Sequence, residues 1–211
     1  EKDIVCVSIA RDFLTRIVNF NNMALQRLTL HGLSRNKLQK IFTNEITQWN
    51  KFNPEIDDIQ PIAKYIPNKN SSSIKHIASL LGVSQNKITA IDTFTETELL
   101  ANIINIPIAI GFCSHTLTYD FQSDMRRRGI YIVGIDYNNS STLNDEELIY
   151  DELSDLRRAV ANQTAPNELV RDLTFLYNSK SEKIDDIKLF ITFAQKNSSS
   201  AIEKFRFFKL D

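Results

Sequence analysis

The sequence predicts an α/β fold, with strands and amphipathic helices alternating as layers around a mixed sheet. Two observations carry that prediction. Apolar, β-rich runs recur at residues 4–9, 108–113 and 130–136. Between such runs lie stretches whose apolar residues return at helical spacing, closed by Gly82, Pro107 and Gly129. With 211 residues, 42% hydrophobic and 24% charged, the chain has an ordinary globular composition and the length for one large or two small domains.

Residues 4–9 and Phe13–Phe20 read as two strands, with Arg11 and Asp12 as an ion pair at a bend between them. Leu28-Thr29-Leu30 reads as short and extended. Ser34 caps a helix over Arg35–Phe42 with Leu38, Ile41 and Phe42 inward. A turn leads to Trp49, and Ile59–Ile66 reads as a strand in which Pro61 marks an edge or a start. Ser84 caps a short turn over Gln85–Lys87. Thr95 and Glu98 form a capping box for a helix to Asn105, which Pro107 stops. Ile108–Cys113 is a buried strand, Phe121–Arg128 a helix and Ile130–Asp136 a strand. A helix from Asn144 to Arg158 follows, then a linker at 164–167, a strand over Leu169–Tyr177 and a helix over Ile184–Lys196. A last helix or extended tail ends at Leu210.

Several classes of function are excluded at this level. A net charge of −1 provides no cationic face for nucleic acid. No apolar run approaches the roughly 20 residues that cross a bilayer, and no basic region followed by an apolar core opens the chain. The chain is then either cytoplasmic or one whose signal segment lies outside it. Cys6 and Cys113 read as buried thiols, and His31, His76 and His115 as scattered and partly exposed. With no Cys or His at ligand spacing, neither metal nor cofactor is assigned. Catalytic patterns for nucleophilic or phosphate-gripping chemistry are absent, so no catalytic residue is named. Arg126-Arg127-Arg128 reads as the basic end of a helix, favoured by the helix dipole.

The segment Ile66–Gly82 is the chemically suggestive one. Pro67 keeps its entry extended, three serines follow, and Ile74, Ile77, Ala78, Leu80 and Leu81 define a helix ending at Gly82. Ser71 or Ser72 serves as a plain N-cap, or Ser71–Ser73 and the orphan amides of the first turn receive an oxyanion. A strand leading into this loop places it where α/β sheets collect ligands.

Leu33–Trp49 (L-S-R-N-K-L-Q-K-I-F-T-N-E-I-T-Q-W) resembles a segment of the phosphate-binding proteins of ABC transporters. Asp12–Asn19, Pro107–Phe112 and Leu169–Tyr177 with Arg171 are similar to further stretches of that family in the same order. The resemblance implies a type II periplasmic-binding-protein fold. Residues 12–165 would form the second, ligand-binding lobe, and 1–11 with 166–211 the hinge strands and part of a first lobe. It implies a non-catalytic protein that captures an oxyanion, inorganic phosphate above all, outside the cytoplasmic membrane for an ABC-type permease. Ser71 and Ser73 would offer hydroxyls, Ser72 and Ser73 amides, and Asn70 and Lys69 would close the rim. Pro67 stands where many relatives carry arginine, Ser72 replaces a glycine, and the rest of the first lobe would precede Glu1. These departures keep a second expectation open, an interaction or sensory module of the same fold without the ligand. An oxidising compartment would also open a Cys6–Cys113 disulfide beside the buried-thiol reading.

Overall fold

The computed structural model describes residues 3–51, 59–204 and 206–208, and the chain divides into two packed units, Leu14–Leu169 and Glu1–Phe13 with Val170–Asp211. The larger unit starts in the second half of β1 (Ile4–Asn19) and continues through α1 (Leu25–His31), α2 (Arg35–Phe42), β2 (Ala63–Ile66) and α3 (Ser73–Leu81). Then come β3 (Ile91–Asp92), α4 (Glu96–Asn105), β4 (Ala109–Ser114), α5 (His115–Thr118), β5 (Tyr119–Asp120), β6 (Met125–Arg126), β7 (Ile130–Ile132) and α6 (Leu153–Ala161). Its sheet has the order β3-β2-β4-β1-β7. β2 is parallel to both β3 and β4, whereas β1 is antiparallel to β4 and β7. All six residues of β4 are buried, as expected of a strand covered on both faces.

Local chemistry explains most boundaries. Ser34 accepts the Lys37 N–H to start α2, and Thr95 accepts the Glu98 N–H to start α4. Gly82 ends α3 in the left-handed conformation. The inward residues expected of α2 and α3 are buried, and the Phe42 and Phe112 rings meet at 5.0 Å. Trp49 is fully buried, with its indole N–H donating to the Ile108 carbonyl at 2.9 Å.

Several expectations are corrected. Leu28-Thr29-Leu30 belongs to α1, because Asn22 takes the Ala24 N–H on its side chain and the Leu25 N–H on its carbonyl, turning the chain into a helix. β2 begins only at Ala63, and Pro61 instead bridges to Gln48. Ser84 bonds the Asn86 side chain and caps nothing. Phe121–Arg128 is no helix. Asp120 captures the Gln122 N–H and Asp124 takes a left-handed φ of 62°, folding the stretch into the β5–β6 hairpin. The dipole explanation of the three arginines falls with it, and Arg126 stacks on Tyr131 and pairs with Asp151. β7 stops at Ile132, and the Gly134 carbonyl receives the Leu33 N–H. The helix expected from Asn144 starts only at Leu153. Asn144 Oδ1 accepts the Glu146 and Glu147 amides, while Glu147 accepts those of Asn144 and Tyr137. Such side-chain bonds compete with helical ones. His115 is fully buried, not part-exposed.

The smaller unit pairs the first half of β1 with β8 (Val170–Asn178), followed by α7 (Ile184–Lys204), which extends past the expected Lys196. The Leu210 tail lies outside the described residues. β1 is one sixteen-residue strand and not two. Arg11 and Asp12 do not pair with each other across a bend. They face Asp172 and Arg171 of β8, and each forms its ion pair there. The β1–β8 pairing shifts register between Ser8 and Ala10. Cys6 and Cys113 are both free, and no disulfide joins them. Cys6 is exposed opposite Leu176 and Cys113 is buried opposite Thr15, so neither faces a thiol. The buried-thiol reading holds for Cys113 alone.

Two predictions follow from packing in the larger unit. Gly32 has a φ of +56°, and a Cβ there would meet the Gly134 carbonyl oxygen and Leu143 Cδ2 at 2.6 Å each. Gly32→Ala is expected to lower stability by more than ~1 kcal/mol in urea denaturation. Tyr119 is fully buried, donates to the Tyr150 carbonyl at 3.0 Å, and has its phenol pushed well above the ordinary tyrosine range, first by burial. A raised folded pKa contributes stability below the unfolded value, about 10. That stability is lost as pH climbs beyond it. Urea midpoints should therefore fall above about pH 10, and Tyr119→Phe should make the fall shallower.

Candidate functional site

Because β2, β3 and β4 run parallel, their C-terminal ends lie at the same edge of the sheet, where such sheets collect ligands. The serine turn follows β2, the Thr93–Glu96 segment follows β3, and Ser114 ends β4. Each strand leads almost directly into a helix, so helix N-termini gather there, with their unbonded N–H groups and positive dipole ends.

The five expected ligand residues are placed differently from one another. Lys69 is exposed, and its amide donates to Asp92 Oδ1 at 2.9 Å. Asn70 is also exposed, with its amide on Asn68 Oδ1 at 2.8 Å, and the Ser71 amide donates to the Asn68 carbonyl at 2.8 Å. Those three amides hold the turn together and are not available to a ligand. Ser72 is exposed and already helical at φ −62° and ψ −24°, and its side chain makes no cap bond. Its amide has no acceptor among the described residues. The Ser71 hydroxyl oxygen is shielded from solvent and has no hydrogen-bond partner among the described residues. Ser73 is buried, its hydroxyl 3.4 Å from Glu96 Oε1. The plain N-cap reading of Ser71 or Ser72 is therefore not realised.

Sequence reasoning missed the acidic side of this place. Glu96 stands in the first turn of α4, with Oε1 toward Ser73 and Oε2 accepting the Ser114 amide at 2.9 Å. The Thr95–Glu98 capping box located the start of α4, but nothing in the sequence shows that the neighbouring Glu96 spans two strand ends. Asp92 is likewise drawn in through the Lys69 amide. Of the five expected residues, Lys69 is the one cation, so hydroxyls and amides dominate the donors. A fully ionised anion meets two carboxylates here, whereas a protonated oxyanion can donate to one of them.

Residues 1–198 match a family model described as the PBP superfamily domain. Among solved structures, the chain is similar to a Clostridium perfringens protein assigned as a phosphate ABC transporter substrate-binding protein, crystallised with bound phosphate. The TM-score is 0.70 at 17% identity, covering 99% of this chain and 72% of that one. An ABC-type phosphate transport receptor of Vibrio cholerae gives 0.67 at 18%, covering 100% and 74%. The PstS protein of Borrelia burgdorferi gives 0.59 at 15%, again covering 100% and 74%. At these identities the likeness is one of fold. No curated protein sequence matches the chain.

The unpartnered hydroxyl separates the two readings of the serines by stability alone. An N-cap serine costs about 0.5–2 kcal/mol when replaced by alanine. Ser71→Ala is instead expected to leave the thermal midpoint unchanged or raised, since a buried hydroxyl without a partner is itself unfavourable.

Proposed function

This chain belongs to the PBP superfamily, and on that premise we propose that it captures a protonated oxyanion, inorganic phosphate, for an ABC-type permease outside the cytoplasmic membrane. One observation carries the reading: a Ser71 hydroxyl and a Ser72 amide, both without a partner among the described residues, at the start of a nine-residue helix that follows the C-terminal ends of parallel strands. The solved structures of like fold include phosphate-binding and phosphate-transport proteins, which supports phosphate as the ligand. No described helix is long and apolar enough to cross a membrane.

In this reading Ser71 turns its hydroxyl to the anion without surrendering any existing hydrogen bond. Ser72 gives its amide, and Ser73 a hydroxyl that gains a stronger acceptor than its 3.4 Å contact with Glu96. Lys69 and Asn70 close the rim from their exposed positions. Glu96 accepts the proton of hydrogen phosphate and repels an anion that carries none. The protein binds and releases its ligand and does no chemistry on it. Residues 12–165, with the serine turn, act as the ligand-binding lobe, and 1–11 with 166–211 as hinge and partial first lobe.

Calorimetry on the whole protein with phosphate and with sulfate tests this. Phosphate is expected to bind, and Ser73→Ala to weaken it by about 10- to 100-fold, the value of a hydrogen bond to a charged group. Glu96→Gln is expected to narrow the preference for phosphate over sulfate. Phosphate affinity unmoved by both Ser71→Ala and Ser73→Ala would remove the serine turn from the site.

A further inference from the structure

A second set of anion donors lies across the same sheet. The serine turn follows β2, beside the β3 edge, whereas the segment just beyond β7, at the other edge, receives the Leu33 N–H on the Gly134 carbonyl. Next to that junction is a cavity of about 240 Å³, lined by Arg27 and His31 of α1, Lys37 of α2, Ser141 and the apolar wall of Leu28 and Gly32. Two helices thus bring basic groups to one hollow, Ser141 closes it from a third segment, and no carboxylate lines it among the described residues.

The hydrogen bonds fix how these groups are used. Arg27 Nη1 lies 3.1 Å from His31 Nε2. A guanidinium has only donors, so Nε2 accepts and the imidazole proton sits on Nδ1, which donates to the Ser141 carbonyl. His31 is thereby a neutral strut that orients Arg27. Arg27 Nε is shielded from solvent and has no partner among the described residues. Neither Arg27 nor Lys37 has an acidic partner among them. The Asp136 carboxylate is turned onto the Ser140 and Ser141 amides at 3.0 Å each and so anchors the wall of the hollow.

Unpaired cations facing a common space are mutually unfavourable, and an anion between them relieves both terms at once. A guanidinium also offers paired donors that match tetrahedral oxyanions. We propose that this cavity is a second anion site, which takes a small dianionic oxyanion of the sulfate or phosphate type between Arg27 and Lys37. It is independent of the serine turn, and its donors are charged where most of those of the turn are neutral. No carboxylate among the described residues lines it to select for a protonated anion, so it accepts sulfate as readily as phosphate.

Equilibrium dialysis of the whole protein against radiolabelled inorganic sulfate is the direct test. One sulfate per chain is expected, with Ser73→Ala leaving it in place. Arg27→Gln and Lys37→Gln should each weaken it at least tenfold, and Lys37→Arg should retain it. Lys37 is exposed, so its variants keep the test meaningful if Arg27→Gln fails to fold, which circular dichroism reports. No sulfate uptake by the native protein, or uptake indifferent to Lys37→Gln, overturns the proposal. Sulfate lost with Ser73→Ala but kept in Lys37→Gln assigns it to the serine turn and also overturns the proposal. Failure of phosphate to bind the serine turn would leave the sulfate result unaffected.

Discussion

The backbone ladder of β1 is the constraint on which the remaining structure depends. Its first half pairs with β8 and its second half with β4 and β7, so one uninterrupted strand supplies both packed units. Pairing Leu14 with Ser114 through Val18 with Ile110 sets where β4 lies. β4 then fixes β2, and β2 fixes β3. The meeting of the serine turn, Glu96 and Ser114 is the last link of that series. A shift of one residue anywhere in it would exchange the faces of a strand and separate the groups.

The two proposed anion sites would rest on different physics. Around the serine turn, selectivity would come from direction and from proton content, because mainly neutral donors and a carboxylate acceptor would both have to be satisfied. In the Arg27–Lys37 hollow, attraction would come from net charge, which salt screens. A chain of net charge −1 can hold both only by keeping them local. The Asp136 and Glu147 carboxylates turn onto backbone amides, so they organise the loops without cancelling the cations nearby.

Sequence patterns revealed elements whose signals are local. Ser34, the Thr95–Glu98 box and Gly82 marked α2, α4 and the end of α3, since a cap needs only neighbouring residues. Where long-range partners decided the outcome, the reading failed. Arg11 and Asp12 looked like a bend because their partners are some 160 residues away. Residues 121–128 carried a helical composition that two aspartates overrode. The serine turn was legible as a strand-to-helix junction, and the resemblance to phosphate-binding proteins sharpened it. Glu96 was not legible as part of it, because its role depends on Ser73 and Ser114 lying on two other segments. The Arg27–Lys37 hollow was hidden for the same reason, and α1 itself had read as extended.

The crossed ion pairs of β1 and β8 bear on how the chain finds its alignment. Arg11 stands opposite Asp172, and Asp12 opposite Arg171. Sliding β8 by one position one way would confront Arg11 with Arg171, and the other way Asp12 with Asp172. Like charges directly opposite are unfavourable, and Asp12 is only 3% exposed, so water would do little to soften the clash. Two Arg-Asp dipeptides facing each other on antiparallel strands thus act as a proofreading mark, rejecting both nearest misalignments when the returning strand docks.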